Sequence, residues 1–235
     1  DYKLSASQAH QVQSERDGSV IINKKALRSF TDKLEYPLYF LDFETTQMAV
    51  PEFAVQRPYQ QIPFQYSLHI QNSKNTDVLH NEFLAESKKV DPRIDFINSL
   101  IRDCGSRGSI LVYNIGFEKS ILNQLIKDFP QYEAHLHLII DRLVDLMVPF
   151  QKKNYYTPEM KGSYSIKSVL PALCSELSYD DLDIKEGGTA SRVFGQMLSG
   201  AFKGDVQLTR THLLKYCKLD TWAMVKLLDK IHEVI

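Results

Sequence analysis

Asp42 and Glu44 stand two residues apart in LDFETT, at the end of an aromatic and aliphatic run from Leu38 to Phe43. Such a run reads as a buried strand, and positions i and i+2 of a strand share one face. Two anions crowded on one face repel each other unless a cation lies between them. The pair is therefore either a metal site at the polar end of a strand or an ordinary charged strand terminus. A lone D-x-E triplet favours the latter.

A second carboxylate with an unusual setting is Asp220. At about 100° per residue, Leu213, Tyr216, Cys217, Asp220, Ala223, Met224, Leu227 and Ile231 form one inward stripe of a long helix with Asp220 at its middle. An acid so placed needs a cation, a donor or a ligand role. Tyr216, one turn earlier and about 40° around the same face, can converge with it on one point. The plain alternative is a capping aspartate beside a core tyrosine. A third candidate, Glu118, falls in the first turn of a helix after the strand SILVY, where a carboxylate is favoured by the helix dipole in any case. Asn114 can serve as the N-cap of that helix.

These groups must be positioned by strands and helices that the hydrophobic pattern outlines. Leu38–Phe43, Phe64–Gln71 and Asp77–Phe83 form a meander of three antiparallel strands, with a turn signal at NSKNT. A helix starts after Asp91-Pro92 and stops at Gly105 to Gly108, before a strand at Ser109–Tyr113. Asn114–Phe129 is a second helix, a fifth strand ends near Asp145, and everything from Ser165 onward is helical apart from a break at Gly187-Gly188. This order predicts an α/β fold of three-layer type over residues 35–235. Residues 1–34 read as a polar linker with one short helix, the edge of a further N-terminal domain.

With 235 residues, 43% of them hydrophobic, the chain is long enough to bury a substantial core. Lys plus Arg total 28 against 29 Asp plus Glu, so any phosphate-binding surface must be local. Cys104, Cys174 and Cys217 are far apart and lack zinc-type spacing, which fits a reducing interior without disulfides. No apolar run is long enough to span a membrane and no secretory signal is evident, so a cytoplasmic protein without membrane contact is expected. His69 among aromatics reads as structural, and His135 and His137 alternate as in a strand or turn, with no acidic partner at ligand spacing.

Taken together in chain order, LDFET (41–45), NIGFE (114–118) and YCKLD (216–220) resemble the three motifs of the DEDD superfamily of 3′ to 5′ exonucleases. The Tyr-x-x-x-Asp form is that of the tyrosine subgroup, which includes ribonuclease D and polymerase proofreading domains. LDFET, PFQYSLH, YNIGFE, GSYSIKSVLP and YCKLDT look most like a bacterial family of unassigned function whose members often carry an N-terminal RecB-like nuclease domain. The resemblance covers roughly residues 35–232. It departs at Glu118, where the superfamily normally has Asp, and Asp145 is an alternative for that place or a supporting group.

The resemblance implies an RNase H-like mixed five-stranded sheet flanked by helices. It also implies phosphodiester hydrolysis at single-stranded or 3′ ends of nucleic acid with two Mg²⁺ or Mn²⁺ ions, which suit all-oxygen ligands. Asp42, Glu44, Glu118 and Asp220 would hold the metals, and Tyr216 would orient the attacking water. Beside the carboxylates, Phe43 through its backbone, with Asn114 and Phe117, would contact substrate; Ser163 and Lys167, where a loop meets a helix start, are either phosphate contacts or a plain N-cap at Ser163 or Ser165 with a solvated lysine. Against this stand a nucleic-acid-binding module on the same fold that Glu118 has left weak or inactive, a purely structural domain, and an RNase H-type endonuclease, which the terminal Tyr-x-x-x-Asp helix disfavours.

Overall fold

The computed structural model of the protein describes residues 3–88 and 90–235. Its elements are α1 (Ala6–Asp17), β1 (Ile21–Ile22), α2 (Lys24–Thr31), β2 (Leu38–Gln47), β3 (Gln61–Gln71), β4 (Val78–Leu84), α3 (Arg93–Cys104), β5 (Ile110–Val112) and α4 (Ile115–Asp128). They continue with α5 (Glu133–Ile140), β6 (Leu143–Asp145), α6 (Val148–Gln151), β7 (Tyr155–Tyr156), α7 (Ile166–Leu173), α8 (Gly187–Ser199) and α9 (Val206–Val234).

The main sheet has five strands in the order β4-β3-β2-β5-β6. β4, β3 and β2 are antiparallel neighbours, and β5 and β6 join in parallel. The α/β class, the mixed five-stranded sheet and the helical C-terminal part are as expected from the order of hydrophobic patterns.

β2 is buried on both faces, which is why its sequence is an almost unbroken apolar run. Alternation sorts its side chains. Leu38 and Phe40 join a core shared with α7, α8 and α9, whereas Tyr39, Leu41 and Phe43 join a second core under α3, α4 and α5. Asp42 and Glu44 have the parity of the first group and so face the C-terminal helices. The last of these, α9, begins where Asp205 accepts a 3.0 Å hydrogen bond from the Leu208 amide, and it runs for 29 residues across β2 and β3.

The segment before residue 35 departs from the expected linker. Beyond residues 1 and 2, which lie outside the described part, it forms α1, opened by a reciprocal capping box between Ser5 and Gln8. Glu15 on α1 accepts a hydrogen bond from the Tyr156 hydroxyl, β1 pairs antiparallel with β7, and Leu27 on α2 is fully buried in the first core. Residues 21–34 therefore share a core with the main sheet.

Two further expectations are corrected. His135 and His137 lie on α5, not in a strand: burial of Leu136, Ile139 and Ile140 follows the helical repeat and leaves both histidines exposed. Gly187 and Gly188 open α8 instead of breaking a helix, and the break falls in residues 174–186 before them. The three cysteines are free and buried. Among the described residues no helix is long and apolar enough to cross a membrane.

Candidate metal centre

The two halves of the site come from β2 and α9. Asp42 and Glu44 pair across the β2–β3 ladder with Ser67 and Gln65, and a bulge comes directly at Glu44/Thr45, where the strand leaves regular pairing. α9 crosses this end of the strand and delivers Asp220. One carboxylate oxygen from each of Asp42, Glu44 and Asp220 can be chosen so that all three lie within 4.8 Å of one another. Glu44 and Asp220 are each 7% exposed. The three acids line a cavity of about 150 Å³ together with Tyr113, Lys167 and Tyr216.

The electrostatics arise from burial and crowding. Burial first, and then the Asp220 charge, push Glu44 up to about 8. Burial also raises Asp220, to about 6, against hydrogen bonds from Tyr179 and Tyr216 and the nearby Lys167 charge. Asp42 is driven well above the usual carboxylate range by burial and by Asp220, Glu44 and Glu118. Three acids whose charged forms are this disfavoured define a place that calls for positive charge.

Glu118 lies outside the tight trio yet is sensed by Asp42. It is 1% exposed, burial raises it to about 8, and its Oε2 has no hydrogen-bond partner. A buried carboxylate oxygen without a donor is costly unless a ligand completes it. The three clustered carboxylates are hard oxygen donors of the kind that could hold a Mg²⁺- or Mn²⁺-type ion, with the orphaned Glu118 oxygen outside their tight group.

Asp145 has a different task. Its carboxylate accepts from the amides of Asn114, Ile115 and Met147 at 3.1, 3.2 and 2.9 Å. It thereby caps α4 and ties β6 to the turn after β5. Asn114 occupies the N-cap position, at φ 85°, but its side chain makes no capping bond. Asn is among the few residues that tolerate this left-handed conformation.

The residues expected to touch substrate divide. Lys167 reaches the acidic cavity, its ammonium 5.4 Å from the ring centroids of both Tyr179 and Tyr216, and it donates to the Lys185 carbonyl. Asn114 and Ser163 line an adjoining cavity of about 480 Å³, which shares Tyr113 and Ile166 with the first. Phe43 is 3% exposed and packs edge-on against Phe96 at 5.2 Å, on the opposite face of β2. Phe117 packs against the same second core. Neither ring lies in the acidic cavity, because both obey the parity and helical phase that bury them elsewhere.

Two residues join the site without a chemical signature in the sequence. Tyr179 donates to Asp220 Oδ1 at 2.6 Å from within the loop between α7 and α8. Cys217 is fully buried, with Sγ 3.6 Å from Asp42 Oδ2 and 3.8 Å from the Asp42 carbonyl. Cys217 is visible on the inward stripe of α9, one position after Tyr216. Tyr179 sits in the aperiodic stretch SELSYDDLDIKEGG, where nothing marks it.

Residues 39–165 match a domain family of unknown function (DUF2779), and since this stretch is more than half of the chain, the protein belongs to that family. The matched stretch holds Asp42, Glu44 and Glu118 and ends before α9. Among curated proteins the chain is similar to an uncharacterized MG366 homolog of Mycoplasma pneumoniae, with 27% identity over 90% of this chain and 34% of that protein. Uncharacterized protein MG366 of Mycoplasma genitalium is also 27% identical, over 93% of this chain and 35% of its own length. Uncharacterized protein UU173 of Ureaplasma parvum shares 27% identity over 82% and 31%. The chain thus spans about a third of the length of these relatives. No solved structure matches it.

Proposed function

We propose that the protein is a divalent-metal-dependent 3′ to 5′ exonuclease of the DEDD type, acting on single-stranded DNA or RNA ends, on an RNase H-like fold. The observation that carries this reading is the convergence of Asp42, Glu44 and Asp220, from opposite ends of the chain, around one small cavity. A strand order with three antiparallel strands and then two parallel ones supports the RNase H-like arrangement.

In this reading Asp42, Glu44 and Asp220 would hold Mg²⁺ or Mn²⁺, with Glu118 contributing from its buried position. Bound ions of this kind acidify water and supply positive charge to a reacting phosphate. Tyr216 is 5% exposed, and burial and the neighbouring acids raise its hydroxyl above the ordinary tyrosine range. It therefore stays protonated and acts as a hydrogen-bond donor that orients water, not as a base. Lys167, at the rim, can hold a substrate phosphate as a point charge. The adjoining cavity, with Asn114 and Ser163, offers amides and hydroxyls to the next nucleotide without reading its base.

Incubation with an end-labelled single strand in Mn²⁺ tests the proposal. Stepwise shortening from the 3′ end is expected, and Asp42→Ala and Asp220→Ala should each abolish it with the fold intact. Full activity in either variant would remove the assignment. One observation favours the second reading, a binding module with little turnover: Glu118 stands apart from the three clustered carboxylates. Retained binding of the strand without shortening would establish it. A further nuclease-like domain in a longer polypeptide, and a cytoplasmic location, belong to the same proposal.

A further inference from the structure

The α9 face turned away from the carboxylates carries a second and larger concavity, about 560 Å³, within the range of small-molecule sites. Its walls are apolar: Val78 from β4, Leu182 from the loop before α8, and Leu219 and Trp222 from α9. Lys215 and Lys218 stand on the same face of α9 and line the cavity. Both are exposed, and neither makes an ion pair among the described residues. Nearby, Glu82 feels the Lys218 charge without forming an ion pair with it among the described residues, and lies 3.9 Å from His80 Nε2.

The floor is a pair of adjacent histidines whose rings are tilted by 38°. His69 and His80 face each other across β3 and β4 with centroids 4.5 Å apart, and the His69 ring lies 5.3 Å from Trp222. His69 Nδ1 is held by Thr221 Oγ1 at 2.8 Å and His80 Nε2 by Ser67 Oγ at 2.9 Å. The other nitrogen of each ring makes no hydrogen bond among the described residues. Burial, with neighbouring positive charge, lowers His69 to about 3 and His80 to about 4, so both rings are neutral at physiological pH. A neutral imidazole offers either a donor or an acceptor, which suits the edge of a heterocycle.

An indole in the wall, which the Lys226 ammonium approaches at 4.7 Å from the ring centroid, two imidazole nitrogens without hydrogen-bond partners among the described residues, and two exposed ammonium groups together fit a planar heterocycle that carries an anion. We propose that this cavity is a binding site for a nucleoside monophosphate, with the base against Trp222 and the histidines and the phosphate on Lys215 and Lys218. Stacking on an aromatic and charge-assisted phosphate contacts are the usual means of holding such a ligand. The site is separate from the carboxylates and stands without the exonuclease reading.

Trp222 is the only tryptophan in the chain, so its fluorescence reports directly on the cavity. The test is a titration with adenosine 5′-monophosphate in excess EDTA, run on the native protein and on Asp42→Ala. The expected result is a saturable change in emission in both proteins. Inorganic phosphate alone and adenosine alone should each bind at least about tenfold more weakly. The exposed double variant Lys215→Glu/Lys218→Glu, with an unchanged circular dichroism spectrum, should weaken nucleotide binding about tenfold or more. Absence of a saturable change, equal binding of phosphate alone, or indifference to the double charge reversal would each overturn the proposal. Because metal and the acidic cavity are excluded from the measurement, its failure is distinct from a failure of the nuclease reading.

Discussion

The hydroxyl of Tyr179 donates a 2.6 Å hydrogen bond to Oδ1 of Asp220, and both residues are buried. The bond fixes one oxygen of the carboxylate. Tyr179→Phe removes the donor and keeps the ring. Outer groups that orient a ligand typically account for about 10- to 100-fold in metal affinity or activity. A loss of that size is expected, read as a higher Mn²⁺ concentration for half-maximal strand shortening. An unchanged Mn²⁺ dependence would limit Tyr179 to packing.

The crowded acids also predict how stability changes with pH. Without metal, the folded protein keeps protons on Glu44 and Glu118 up to about pH 8 and on Asp220 up to about 6, whereas an unfolded carboxylate releases its proton near 4. Across that interval the native state binds more protons than the unfolded one, so stability falls as pH rises. The melting temperature of EDTA-treated protein should decline between about pH 5 and pH 8. Added Mn²⁺ should raise it most at the upper end. A flat profile without metal would show that the acids are not desolvated together.

Neutralising one member of the cluster should separate stability from metal binding. Asp42→Asn relieves repulsion among buried anions, and at pH 8 without metal it should stabilise the fold. The same variant should lose the Mn²⁺-induced rise in melting temperature. Denaturant titration with and without Mn²⁺ checks both halves, and a destabilised Asp42→Asn would contradict the first.

Glu118 distinguishes the enzyme from the binding module. If its orphaned oxygen completes a metal site, Glu118→Gln should slow strand shortening about tenfold or more, and Glu118→Asp should retain most of the activity. If shortening is equally fast in Glu118→Gln, the group has no part in the chemistry.

Away from the site, Arg93 is fully buried and bridges Asp91 at 2.6 Å, Asp128 at 2.9 Å and the Ala54 carbonyl at 2.7 Å. It pins the loop between β2 and β3 to α3 and α4. Breaking a buried pair leaves an uncompensated charge at a cost of about 3–5 kcal/mol. Arg93→Ala should destabilise by that amount in urea, and Arg93→Lys should recover little, since a point charge cannot meet three acceptors in one plane.

Much of the architecture is legible in the residues themselves. The continuous apolar run of β2 announces a strand buried on both faces, and its parity places Asp42 and Glu44 together. The helical stripe around Asp220 does the same for α9. The remainder is set by tertiary context. Tyr179 acquires its role only because an aperiodic loop is laid against α9. His135 and His137 look like alternating strand positions because two-fold and helical spacing coincide over so short a stretch, and burial of Leu136, Ile139 and Ile140 decides for the helix. The polar opening gives α1 no apolar stripe to reveal it, and a capping box and a contact from Glu15 hold it instead.

The contact between Cys217 and Asp42 spans 175 positions of chain. β2 precedes α9 in the chain, so its acids lie beside an open face until α9 has been added. A polypeptide that stops short of α9 therefore lacks one of the three clustered carboxylates, and the acidic cavity closes only when the two distant segments meet.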